Sequence, residues 1–216
     1  MTLILRIGCA CIATLLAPAW AQAQATNPYA RPTPSTTSAM QDKGKKMDEL
    51  ESFATDGARV LESKSGDLAG DGRQGTVVVL DPRKTGNEKL GEGPGRTVLL
   101  LMRDQSGQLR KVASNDRIVP CSTCGGIAGD PFGYTRILAP GQFLIATGGG
   151  SRERWSDEYT FTWSTARKDW LISRVVRQSS DSETGKEKQV DLTAKDLGDV
   201  SFKDFDPSRL PEVTLP

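Results

Sequence analysis

The nine residues Trp155–Trp163, WSDEYTFTW, constrain the fold more than any other stretch of the chain. Trp155, Tyr159, Phe161 and Trp163 share the odd positions with Asp157, while Ser156, Glu158, Thr160 and Thr162 fill the even ones. Successive side chains of a strand point to opposite faces, so this pattern predicts a strand with one buried and one wet face. TVVVL (76–80) and TVLLLM (97–102) are continuous apolar runs, the pattern of strands buried on both faces. ARVLES, QLRKVAS, YTRILA, QFLIAT, WLISRVV and KQVDLT supply further short strands, separated by turn residues such as Ser106-Gly107 and Pro140-Gly141. The expected fold is all-β and mainly antiparallel, a sandwich or a partly closed barrel. Met47, Leu50 and Phe53 recur every three residues beside Asp48, Glu49 and Glu51, which predicts a short amphipathic helix in front of it.

Residues 1–25 read as a secretory signal. Arg6 precedes an apolar stretch from Ile7 to Leu16, and Ala21-Gln22-Ala23 and Ala23-Gln24-Ala25 are small-x-small cleavage patterns. The apolar run is too short to span a bilayer, which needs about 20 residues. Residues 26–46, rich in Pro, Thr and Ser, read as a flexible linker, leaving 47–216 as a single β domain. The expected location is therefore periplasmic or secreted, with no transmembrane segment after cleavage. Removing Arg6 with the signal takes the 28 basic residues to 27, against 27 acidic ones. That balance argues against nucleic acid as a partner.

The chain has no histidine. This excludes a Ser-His-Asp triad, a Cys-His pair and any imidazole metal ligand. Carboxylate-dependent hydrolysis stays open, because two Asp/Glu residues suffice for it, but no motif singles out a pair.

The stretch SGDLAGDGRQGTVVVL (65–80) resembles the acidic loop of FG-GAP and VCBS-type repeats, in which an Asp/Asn-rich loop leads into a Val-rich strand and often binds calcium. On that resemblance Asp67 and Asp71 match the first and fifth ligand positions and Gly72 the turn glycine. Ala69 and Gly75 stand at the third and ninth positions, where the family usually carries Asp or Asn. Calcium is the only cofactor the sequence suggests. With two oxygen ligands missing, the preferred reading is a turn whose carboxylates bond local amides.

Asn115–Tyr134, NDRIVPCSTCGGIAGDPFGY, together with GGGSRERW (148–155), resembles a group of small secreted bacterial proteins that carry a Cys-x-x-Cys-Gly-Gly block. That resemblance implies a fold and no activity. Cys121 and Cys124 have three readings of their own: a disulfide staple, a redox centre or part of a metal site. Gly125, Gly126 and Pro131 make a poor start for the helix that activates a redox thiol, and no second pair completes a zinc site, so the staple is preferred. Ser151, Arg152 and Arg154 can present amides and guanidinium groups to an anion. The alternative is a hairpin turn at the glycines, with the arginines solvated or paired to Glu153 and Asp157. The expected function is a non-catalytic binding or interaction module for an unidentified envelope protein or ligand. A periplasmic thiol-disulfide protein and a carboxylate-dependent hydrolase are the alternatives.

Overall fold

The computed structural model describes residues 46–216. The expected signal, and the linker up to residue 45, lie outside the described residues. Nine strands follow a short helix, α1 (46–51). They are β1 (Arg59–Asp67), β2 (Gln74–Asp81), β3 (Arg96–Arg103), β4 (Leu109–Val119), β5 (Phe132–Ala139), β6 (Gln142–Gly150), β7 (Glu153–Ser164), β8 (Asp169–Asp181) and β9 (Glu187–Thr193). The first four form one sheet and the last five another, each a meander in chain order with every neighbour antiparallel. The two sheets stack as a sandwich and do not close into a barrel. Where β1 comes close to β5, the Glu62 carboxylate accepts from the Thr135 amide and hydroxyl in place of a strand ladder. Among the described residues no helix is long and apolar enough to cross a membrane.

The two-sided burial expected of residues 76–80 has a simple origin. Val77 and Val79 enter the core between the sheets, with Val98, Leu100, Phe143, Ile145 and Phe161. Val78 and Leu80 face the other way, joining Leu99, Leu101 and Leu109 in a second cluster that Leu50 of α1 covers. Arg103 donates twice to the Glu49 carboxylate and holds the helix there. Of the three expected apolar helix positions, Leu50 is buried, Phe53 half-buried and Met47 exposed.

In β7 the odd-position face runs inward as the alternation requires. Tyr159 and Phe161 are buried, and Trp163 packs against the same core. Trp155 lies beyond the end of that core and is half-buried. A bulge opposite Thr160–Phe161 falls at Ser173 on β8, so β7 keeps its alternation. Asp157, the polar member of the face, is 4% exposed. It accepts from the Arg177 guanidinium on both oxygens and from the Tyr159 hydroxyl at 2.9 Å. A buried carboxylate is tolerable when paired in this way.

The side of the sandwich between β4 and β8 is filled by the chain after a second short helix, α2 (Ala194–Leu197). The Phe202 amide donates to the Trp170 carbonyl at 2.7 Å, and the Asn115 side-chain amide donates to the Phe202 and Phe205 carbonyls. Both phenylalanines are in the core, edge-on to Phe161.

Candidate functional site

The cysteine block follows β4. Cys121 and Cys124 are joined in a disulfide, and the Cys124 amide donates to the Cys121 carbonyl across the turn. Cys121 is 3% exposed. The loop between β2 and β3 lies over the bond. Its Gly91 amide donates to the Thr123 carbonyl, the Thr123 hydroxyl donates to the Glu92 carbonyl, and a Cβ on Gly93 would sit 3.4 Å from Cys121 Cβ. The bond thus staples a turn on which a longer loop rests. The chain-entropy model for so short a ring gives about 2 kcal/mol. Reduction is expected to lower the melting temperature by roughly 4–8 °C without unfolding the domain at 25 °C. Thermal melts with and without reductant check this, and an unchanged melting temperature would count against the staple.

The glycine run belongs to a strand end and not to the turn. Gly148, Gly149 and Gly150 complete β6, and Ser151-Arg152 form the connection to β7. There the chain meets the cysteine block: the Gly150 amide donates to the Gly125 carbonyl at 2.8 Å. Arg152 donates to Asp181 at 2.8 and 3.1 Å and pairs with Glu183 at 3.0 Å. These acids, at the end of β8 and just past it, pair with Arg152 where the sequence offered Glu153 and Asp157, although the charge of Glu153 also acts on Arg152. The bonds from Arg152 and from the Thr184 and Glu183 amides hold the Asp181 carboxyl well below the usual carboxylate range. Arg152 is therefore already matched to acids of its own chain, which leaves the exposed Arg154 as the cation of the proposed anion loop.

The acidic loop is built as a turn. Asp67 accepts from the Gly70, Asp71 and Gly72 amides at 2.7, 3.2 and 2.9 Å. Asp71 accepts from the Arg73 amide and side chain, which together hold its carboxyl below the ordinary value. The loop also carries Leu68 into the core, where its carbonyl accepts from the Trp170 indole at 2.6 Å. Asp67 and Asp71 thus organise the backbone that a calcium ion would otherwise organise. We expect calorimetric titration to show no tight calcium binding. Micromolar binding that Asp71→Ala abolishes would overturn this.

None of these motifs lines the most apolar of the larger pockets among the described residues. That pocket, about 390 Å³, lies between β8, β9, α2 and the chain after α2. Ile172, Leu192, Leu197, Val200, Phe205 and Leu210 form its apolar wall. Ile172 and Phe205 belong to the sandwich core, and the other four pack against it as half-buried residues. Asp196, Asp204, Asp206 and Arg209 line it as well. Local bonds fix the carboxylates. Asp196 accepts from the Thr193 amide and hydroxyl at 2.8 Å, Asp204 from the Ser201 hydroxyl, and Asp206 from the Ser208 amide and hydroxyl. Arg177 donates to the Pro211 carbonyl at 2.7 Å and so ties the strap of chain over the pocket to the buried Asp157. Two other depressions have a different character. One of about 500 Å³ on the outer face of the five-stranded sheet is lined by Ser156, Glu158, Gln178 and Gln189. One of about 430 Å³ beside α1 mixes Phe53, Leu80 and Leu99 with Arg83, Lys111 and Asp56.

Sequence reasoning missed this pocket because its walls come from four segments. The available signal was the recurrence of Leu192, Leu197, Val200, Phe202, Phe205 and Leu210 in a tail that otherwise reads as turns. No protein family matches the chain, and no curated protein or solved structure is significantly similar to it.

Proposed function

We propose that this protein is an exported, non-catalytic binding module of the bacterial envelope that takes the apolar part of a small ligand into the pocket under its C-terminal strap. The observation that carries the reading is the pocket itself. Its volume lies within the range typical of small-ligand sites, and it combines an apolar wall with a few convergent polar groups. A ligand there would extend the sandwich core and remove half-buried Leu192, Leu197, Val200 and Leu210 from water. The disulfide turn supports a staple: Cys121 is buried, Cys124 half-buried, and the loop between β2 and β3 rests on the turn through its bonds to Thr123. The pocket carboxylates also bear on the hydrolase alternative. Such chemistry needs one carboxyl raised toward neutrality as the acid. Hydrogen bonds from Thr193 and Ser208 instead hold Asp196 and Asp206 below the ordinary value.

The test is titration with N-phenyl-1-naphthylamine, an uncharged apolar fluorophore. One saturable site is expected, weakened at least tenfold in Leu210→Gln with the melting temperature little changed. Absence of saturable binding, or binding indifferent to Leu210→Gln, would remove the reading.

A further inference from the structure

The charges around the pocket are one-sided. Three carboxylates, Asp196, Asp204 and Asp206, line it against one guanidinium, Arg209. Arg209 stands 3.8 Å from Asp206 and offsets that charge alone. The Arg117 side chain also acts on Asp206, but it donates to the Lys203 carbonyl and does not line the pocket. Lys203, the nearest lysine in the strap, reaches toward Asp169 at 3.9 Å. Asp196 and Asp204 thus stand beside an apolar wall with no ion-pair partner within 4 Å among the described residues.

The hydrogen bonds that fix these carboxylates do not use every oxygen. Both Thr193 donors reach one oxygen of Asp196, Oδ2, and the Ser201 hydroxyl reaches Oδ2 of Asp204. The Oδ1 atom of Asp204 receives no hydrogen bond from the described residues. The bonds also restrain the side chains, so little conformational freedom is lost when an ion meets them. Apolar walls lower the local dielectric, which strengthens attraction to a charge of opposite sign.

Resting on the binding function proposed above, we infer that the pocket selects a cationic amphiphile, an ammonium group carried on an apolar chain or ring. The apolar part lies against Ile172, Leu192 and Phe205, and the ammonium sits among Asp196, Asp204 and Asp206. An anionic amphiphile of the same size is disfavoured by those carboxylates, and a neutral one gains only the apolar burial.

Calorimetry with three octyl compounds below their micelle concentrations tests this: octyltrimethylammonium, octyl glucoside and octyl sulfate. The ammonium compound is expected to bind about tenfold more tightly than the glucoside, and the sulfate more weakly than either. Raising the salt concentration should narrow the first gap, because exposed charges are screened. Asp204→Asn combined with Asp206→Asn should remove most of the preference, and asparagine keeps the acceptor oxygens that hold the local turns. Equal affinity for all three compounds, or tightest binding of the sulfate, would overturn the selectivity and leave the binding function standing. No binding of any of the three would overturn both.

Discussion

Replacing Arg96 by methionine is expected to destabilise the domain by about 3–5 kcal/mol. The Arg96 side chain on β3 is 1% exposed. Its Nε donates to Asp81 at 2.8 Å, and its two terminal nitrogens hold the Asp130 carboxylate bidentately. Asp81 is on β2 and itself 2% exposed, whereas Asp130 sits in the Gly-Asp-Pro-Phe segment that precedes β5 and is 46% exposed. One guanidinium therefore joins the four-stranded sheet to the connection between the sheets. Without it, Asp81 keeps hydrogen bonds only from Arg59, whose side chain is 66% exposed, together with the charge of Lys84. A buried carboxylate that loses its buried partner bears most of its desolvation cost. Lysine should not restore the loss, since a single ammonium cannot reproduce three directed bonds.

The same cluster gives a pH signature. Burial alone pushes the Asp81 and Asp130 carboxyls up. The hydrogen bonds and charge of Arg96, with Arg59 at Asp81 and the Phe132 amide at Asp130, outweigh burial and hold both below the ordinary value. Stabilisation from a lowered carboxyl is complete above its unfolded pKa of about 4 and is lost as pH falls through the folded value. Urea denaturation of the native protein should thus show stability falling below about pH 4, and the fall should be shallower in Arg96→Met by the share that Asp81 and Asp130 contribute, while Glu88, Asp104 and Asp181, which are also held low, keep the remainder. A loss below 1 kcal/mol at pH 7, or an unchanged acid limb in the variant, would contradict this account of Arg96.

How far the sequence revealed these features depends on the range over which each is specified. Period-two alternation in 155–163 and the two apolar runs at 76–80 and 97–102 are local, and the strands lie where those patterns put them. A register within one strand decides which face is buried, and no other part of the chain is needed to state it. Arg96 carries no such local mark. It opens an apolar strand, and only Asp81 on the neighbouring strand together with the return of Asp130 across 34 residues makes it a buried ion-pair centre. The pocket was hidden for the same reason, its walls being drawn from β8, β9, α2 and the tail. The acidic loop that resembles a calcium site is of the local kind. The pattern is visible because it is local, and so are the bonds it makes: the Asp67 carboxylate accepts from three amides within five residues, while titration decides whether the loop takes calcium.

The second large effect concerns two glycine runs that the sequence presents as separate turns. We expect Gly149→Ala to cost about 3 kcal/mol, near the upper end for overpacking. A Cβ at Gly149 would lie 2.8 Å from the Gly125 carbonyl oxygen, 2.9 Å from Gly125 Cα and 3.0 Å from Cζ2 of Trp155. Two of these contacts are backbone and cannot rotate away. Gly125 is confined in turn: its φ of −86° suits any residue, yet a Cβ there would lie 2.1 Å from the Gly129 carbonyl oxygen. The two segments touch because only hydrogens separate their backbones, and the bond from the Gly150 amide to the Gly125 carbonyl depends on that approach. Gly107 is the control. Its φ is +82° and nothing lies within 4 Å of its added Cβ, so alanine there meets only the left-handed backbone penalty of about 1 kcal/mol. Gly149→Ala should also weaken the seat of the disulfide turn, making Cys121–Cys124 easier to reduce in the folded protein, whereas Gly107→Ala should not. Equal stability losses in the two variants, with unchanged reduction rates, would show that the close packing of the two glycine segments contributes nothing beyond backbone conformation.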